Sequence, residues 1–328
     1  MTAGENTPRR DFFATTPGVI VGALITCFLW GSAFPCIKIG YGLFSIEQSD
    51  TASQLVFAGT RFFFSGVLVI VFMSILRGRP LLPRKSSVRP IITLSLFQTT
   101  LQYLFFYPGL SRAAGVSASI MEASATFLAI LLGALVFRQE RLTARKLVGC
   151  AVGFAGVILV NLGGSGGFGF SLLGEGFIFL SALAGAISTC LIRIFSADED
   201  PVMLSGWQFM VGGLTLLAVG LGMGGSLRPN GPASICLLAY MAFLSACAYS
   251  LWSMLLQRNP ISRVAIFGFT NPVFGVVLSA ILLGEGQFMN PLRYVVALVL
   301  VSAGIIIVNR QKAEGVGEKP APATGEGN

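Results

Sequence analysis

The chain is a succession of apolar runs broken by short polar connections. Ten runs approach or exceed the roughly 20 residues that a membrane-spanning helix needs. They lie at about 17–41, 52–76, 89–109, 114–137, 143–162, 171–195, 202–224, 233–256, 261–283 and 290–309. Turn formers fill the gaps, as in Arg77-Gly78-Arg79-Pro80, the stretch Gly163 to Gly169, and Arg228-Pro229-Asn230-Gly231-Pro232. The polar residues ahead of the first run lack the short apolar core and cleavage site of a secretory signal. From Arg310 on, the chain is rich in Gly, Pro, Ala and Glu, which predicts disorder. The pattern predicts an all-α polytopic membrane protein of ten transmembrane helices. A segment 1–16 leads into five helices over 17–162. A loop at 163–170 joins them to five more over 171–309, and a tail follows at 310–328.

Composition narrows the class. The 328 residues are 54% hydrophobic and only 11% charged, with a mean hydropathy of +0.79. Soluble domains carry about 25% charged residues, so a soluble enzyme of this size is excluded. There is no histidine, which removes histidine acid–base chemistry and histidine metal sites. The six cysteines stand singly in apolar runs with no C-x-x-C pair, so neither a metal site nor a redox motif is predicted. No cofactor is predicted either. The chain has no Walker-type G-x-x-x-x-G-K-[ST], and the GSGGFG stretch at 164–169 follows a membrane run instead of a strand.

The net charge of +8 reads as topology. Of the 22 Lys and Arg residues, seventeen fall at the side that holds both chain ends. Arg112, Arg228 and Arg293 fall at the other side, and Lys38 and Arg61 lie within runs. The positive-inside rule therefore predicts cytoplasmic termini and residence in the cytoplasmic membrane. The basic residues predict attraction to anionic membrane lipid, and no nucleic-acid partner.

The two halves repeat. Thr126-Phe127 through Glu140 matches Asn271-Pro272 through Glu285, and Ala155-Gly156 through Asn161 matches Ala303-Gly304 through Asn309. Gly31 and Cys36 match Gly185 and Cys190, and Gly59-x-Arg61-Phe62 matches Gly206-x-Gln208-Phe209. The matches keep chain order, at offsets between about 145 and 154. Five spans per repeat is an odd number, so the second half must run upside down relative to the first. Inverted repeats are the architecture of alternating-access carriers, which bind their cargo near the midplane.

The sequence resembles the drug/metabolite transporter superfamily, and within it the EamA-type ten-helix carriers. The resemblance rests on Trp30-Gly31-Ser32-x-Phe34 with Lys38, Arg61-Phe62, Gln139-Glu140-Arg141-Leu142-Thr143, Ala155-Gly156, Gln208, and Asn271-Pro272 through Gly284-Glu285. It covers residues 18–309. The chain departs from the usual pattern at Gln139, Phe127 and Glu122. The resemblance implies a carrier that exports amino acids, related metabolites or toxic compounds, driven by the solute gradient or by protons.

Several polar residues stand at membrane depth, where they are costly and mark candidate function. Glu122 lies about eight residues into the fourth run, roughly 12 Å at 1.5 Å per residue. Arg61 lies at similar depth in the second run. Two readings stay open: a static ion pair, or a proton- or amine-binding Glu122 tuned by Arg61. Lys38 either snorkels to the interface or joins a substrate route near a helix kinked by Pro35. Gln98 and Gln102 share a face of the third helix, and Ser245, Tyr249 and Ser253 share a face of the eighth. These stripes either line a cavity or serve as interhelical packing contacts. Trp30 and Trp252 are candidate aromatic walls, and Asn271, ahead of Pro272, a candidate ligand or hinge. The G-x-x-x-G pairs Gly149/Gly153 and Gly220/Gly224 predict close packing within a protomer or across a homodimer.

The reading is a secondary active transporter for a small molecule, not an enzyme. The rivals are a membrane-embedded lipid-modifying enzyme, which would need convergent acids and bases, and a receptor or scaffold, which has no use for two-sided symmetry. The acidic run Asp198-Glu199-Asp200 reads as a solvated turn.

Overall fold

A computed structural model describes residues 11–110, 112, 115–161, 171–283 and 291–309. The segment 1–10, the loop 163–170 and the tail 310–328 lie outside the described residues. Ten helices carry the fold. They are α1 (Thr16–Leu43), α2 (Thr51–Leu76), α3 (88–110), α4 (Gly115–Leu135) and α5 (Ala144–Asn161). The second half repeats the series with α6 (Glu175–Phe195), α7 (Pro201–Gly222), α8 (Pro232–Arg258), α9 (Ile261–Leu282) and α10 (Pro291–Asn309). Six of these are individually long and apolar enough to cross a bilayer, and α4 and α10 carry shorter apolar stretches. The protein is an all-α, multi-pass membrane protein.

Local chemistry sets the helix starts. Thr15 caps α1 through Gly18 N–H, with Pro17 in the first turn. Asp50 accepts from Ser53 N–H at 2.9 Å, and Asp200 from Val202 and Met203 N–H at 2.8 and 3.1 Å. Such caps satisfy donors that the helix itself leaves bare. Two spans are irregular inside. α3 passes through a π-helical stretch, Ser95–Leu101, and α9 through a 3₁₀ stretch, Ile266–Phe269, just before Asn271-Pro272. Neither irregularity is legible in the hydrophobic pattern. The largest boundary difference is at α6, which begins at Glu175 and not near 171. Its carboxylate accepts from Ser171 N–H at 2.8 Å and folds the preceding four residues into a turn.

The packing has the symmetry of the repeat. α2 lies along α7 and α5 along α10. α1 packs on α8 and α9 as α6 packs on α3 and α4. Both like-on-like seams are antiparallel and run through glycine. A Cβ on Gly59 would sit 2.8 Å from Gly213 O, and one on Gly66 would sit 2.5 Å from Gly206 O. At the other seam, a Cβ on Gly149 would sit 3.0 Å from Gly304 O, and one on Gly156 would sit 2.9 Å from Ala297 O. Corresponding helices that run antiparallel make the repeats inverted. The G-x-x-x-G pair at Gly220/Gly224 serves two ends. Gly220 presses on α2, whereas Gly224 has φ +86° and turns the chain after α7. Large apolar side chains such as Phe64, Phe72, Leu214 and Val299 face outward, as lipid-facing surfaces require.

Candidate functional site

A cavity of about 160 Å³ lies between the repeats. Its walls come from α1, α2, α3, α4, α6, α8 and α9. Eight of the nine residues singled out from the sequence line it: Trp30, Arg61, Gln98, Gln102, Glu122, Tyr249, Trp252 and Asn271. Lys38 does not. It is exposed on α1, which runs through Pro35 as a continuous helix.

One wall is aromatic. The Trp30 ring centroid is 5.0 Å from both Tyr249 and Trp252. Tyr103 and Tyr249 join through their hydroxyls at 3.0 Å. They are 146 residues apart, so they correspond in the repeat and meet at its pseudo-twofold axis. Arg61 is 2% exposed, and its Nε donates to Ser245 Oγ at 2.8 Å. Its repeat counterpart Gln208 accepts from Thr99 Oγ1 at 2.8 Å. Thr99 and Ser245 also correspond, so one contact is built twice, once with a charge and once without.

The Arg61–Glu122 pair weighed from the sequence is not formed among the described residues. α2 packs on α7 and α8 and makes no extended contact with α4, so the two side chains reach the cavity from different walls. Glu122 Oε2 is sealed and has no hydrogen-bond partner among the described residues. The same holds for Trp30 Nε1 and Asn271 Oδ1. Buried polar atoms normally find partners, and three of the unpartnered ones among the described residues belong to side chains that line this cavity.

The polar stripes divide. Gln98 and Gln102 line the cavity, and Gln98 is 3% exposed. Of the α8 stripe, Tyr249 lines the cavity and Ser245 holds Arg61. Ser253 is packing between helices, 2.9 Å from Ser205 Oγ on α7. The sequence reading missed the small and hydroxyl residues that make the room. Thr126, Ser188, Thr189, Gly185 and Gly268 all line the cavity. Small residues in membrane runs carry the same signature whether they open a cavity or admit a neighbouring helix, so only the repeat match of Thr126 with Asn271 pointed here. Gln139, a departure from the family pattern, donates from Nε2 to Cys190 O at 3.0 Å and ties the α4–α5 connection to α6. Asp200 is no loose turn residue. It caps α7 and pairs with Arg77, while Glu199 accepts from Ser86 at 3.0 Å. Burial raises the Asp200 carboxyl, but the Arg77 hydrogen bond and the Met203 and Val202 N–H groups outweigh it and hold it below the usual value.

A family model described as EamA-like transporter family matches residues 17–162 and again 172–310. The chain belongs to the EamA-like transporter family. Among its relatives is a probable amino-acid metabolite efflux pump of Escherichia coli (strain K12), 28% identical over 87% of this chain and 92% of that one. An uncharacterized transporter of Bacillus subtilis (strain 168) is 26% identical over 91% of this chain and 97% of that one. A chloroplastic WAT1-related protein of Arabidopsis thaliana is 28% identical over 86% of this chain and 67% of that one. A solved crystal structure shares the fold, with a TM-score of 0.72 at 16% identity, over 90% of this chain and 97% of that one. This EamA-family protein is therefore a membrane transporter and not an enzyme.

Proposed function

We propose that this EamA-family transporter exports a small metabolite of the amino-acid class across the cytoplasmic membrane by alternating access. One observation carries the reading. The cavity between the inverted repeats offers a cation, Arg61, and a carboxylate, Glu122, that are not spent on each other. An α-amino acid presents the complementary pair, a carboxylate and an ammonium. Arg61 uses its Nε on Ser245, which leaves the far edge of the guanidinium to face a carboxylate. Glu122 and Asn271 accept from an ammonium, and Trp30, Tyr249 and Trp252 supply the π-faces that favour one. The printed name of the Escherichia coli relative supports the same class and direction. The excess of Lys and Arg at the side holding both ends supports cytoplasmic termini. The repeat bounds 17–162 and 171–309, with 163–170 as an external loop, belong to the same proposal, as do membrane lipid and a small solute as partners.

Counterflow in proteoliposomes tests the reading. Liposomes loaded with an unlabelled amino acid should accumulate the labelled one from outside. Failure across a panel of zwitterionic amino acids, with uptake of a solute lacking one of the two charges, would overturn the amino-acid assignment.

A further inference from the structure

The two repeats make many matching contacts, and one of the differences between them lies at one end of the bundle. α6 packs against α8, whereas their counterparts α1 and α3 make no contact of comparable extent among the described residues. The α6–α8 contact sits at the end that holds the start of α1. There Gln257 Nε2 donates to Ser196 O at 2.7 Å. Beside it, the last turns of α4 meet the start of α9, where a Cβ on Gly133 would lie 2.9 Å from Ile261 Cδ1.

Glu140, in the connection between α4 and α5, closes the same end. Its side chain is 6% exposed. Ser262 at the start of α9 donates twice, from N–H to Oε1 at 3.2 Å and from Oγ–H to Oε2 at 2.8 Å. Lys146 Nζ lies 3.2 Å from Oε2. Glu140 and Lys146 belong to the first repeat and Ser262 to the second. The carboxylate therefore bridges the repeats at the end of the bundle beyond Ala129 and Ala265, wall residues of the cavity further along α4 and α9.

We propose that Glu140 is the latch that holds the cavity shut at the end carrying the start of α1, so that this conformation opens toward the opposite face. The inference rests on the alternating-access reading above. In the other conformation Ser262 leaves Glu140 and Lys146 stays. A buried carboxylate that keeps its own cation releases a neutral donor without being left bare. The Gln139–Cys190 hydrogen bond ties the same connection to α6, a second link between the repeats at this end.

Two native thiols, buried outside the cavity lining and nearer opposite ends of the bundle, serve as probes of opening. Cys36 and Cys190 are repeat counterparts at opposite ends of the bundle, 6% and 0% exposed. Their rates of modification by a small maleimide are read by mass spectrometry on the full-length protein. Glu140→Gln should speed Cys190 by about tenfold, the scale of one charge-assisted hydrogen bond, and slow Cys36. Ser262→Ala and Gln257→Ala should move the ratio the same way by smaller factors. Unchanged rates in Glu140→Gln, or a parallel rise at both thiols, would overturn the latch. If Glu140→Gln does not fold, an unchanged ratio in both other variants overturns it equally. The labelling needs no transported solute, so the latch and the substrate assignment can fail separately.

Discussion

At the scale of single residues, the cavity carries groups whose isolation costs stability. Asn271 Oδ1 is sealed without a partner among the described residues, and such an atom costs about 1–3 kcal/mol. Asn271→Leu should therefore leave the melting temperature equal or higher in detergent while lowering counterflow. A fall in both would mean that Asn271 holds the fold and not the solute. Arg61 has the opposite balance. Arg61→Gln recreates the side chain of its repeat counterpart Gln208, which already sits in this geometry with Thr99. The protein should fold, and zwitterion counterflow should drop by about tenfold or more, as loss of a charge-assisted contact implies. Counterflow at the original rate in Arg61→Gln would remove the cation from recognition. Arg61 and Glu122 were legible in the sequence because a charge inside an apolar run is rare. That they do not pair was not legible, because depth along two helices says nothing about which wall each one faces.

At the scale of helices, the seams and caps make separable predictions. A methyl group on Gly59 would strike the α7 backbone, 2.6 Å from Leu217 N. Backbone cannot step aside as a side-chain tip can, so Gly59→Ala should cost about 1–3 kcal/mol. A methyl group added at Gly222 would meet nothing within 4 Å, and Gly222→Ala should stay within about 0.5 kcal/mol. Thermal unfolding of both variants in one detergent checks the contrast. Asp50 and Asp200 are helix caps outside the spans. The Ser53 side chain and N–H hold the Asp50 carboxyl below its usual value, and Arg77 helps do so for Asp200 against the effect of burial. A depressed folded-state pKa adds stability above the unfolded value of 3.8 and loses it as pH falls through the lower, folded value. Asp200→Asn should thus be less stable than the parent at pH 7, and the gap should close in acid below the folded value. A gap that persists unchanged there would mean the cap works through shape and not charge.

At the scale of the whole molecule, the inverted repeat organises everything else. It explains why Tyr103 meets Tyr249 and why α2 lies along α7. The sidedness proposed above from the Lys and Arg excess is tested at this scale. Arg79 and Arg228 are exposed at opposite ends of the bundle. Cysteines placed there should react with an impermeant maleimide from opposite sides of the membrane, Arg228→Cys from outside intact cells and Arg79→Cys only after lysis. Reaction of both from outside would reverse or break the ten-span topology.

The lengths of the chain's apolar runs determined the ten helices and their order, and the residue matches between its halves, with five runs in each, determined their inverted pairing. These follow from the cost of bare backbone in lipid, which leaves a long apolar segment little choice but a helix. Thr15, Asp50 and Asp200 fix three helix starts by caps, which are local hydrogen bonds. Only the tertiary structure decided the π-helical and 3₁₀ stretches, the separation of Arg61 from Glu122, and the bridge from Glu140 to Ser262. Each of these depends on which faces of distant helices meet. In a membrane, where apolar side chains gain no preference for one helix over another from leaving water, that choice rests on glycine clearances and a few hydrogen bonds spread across the whole chain.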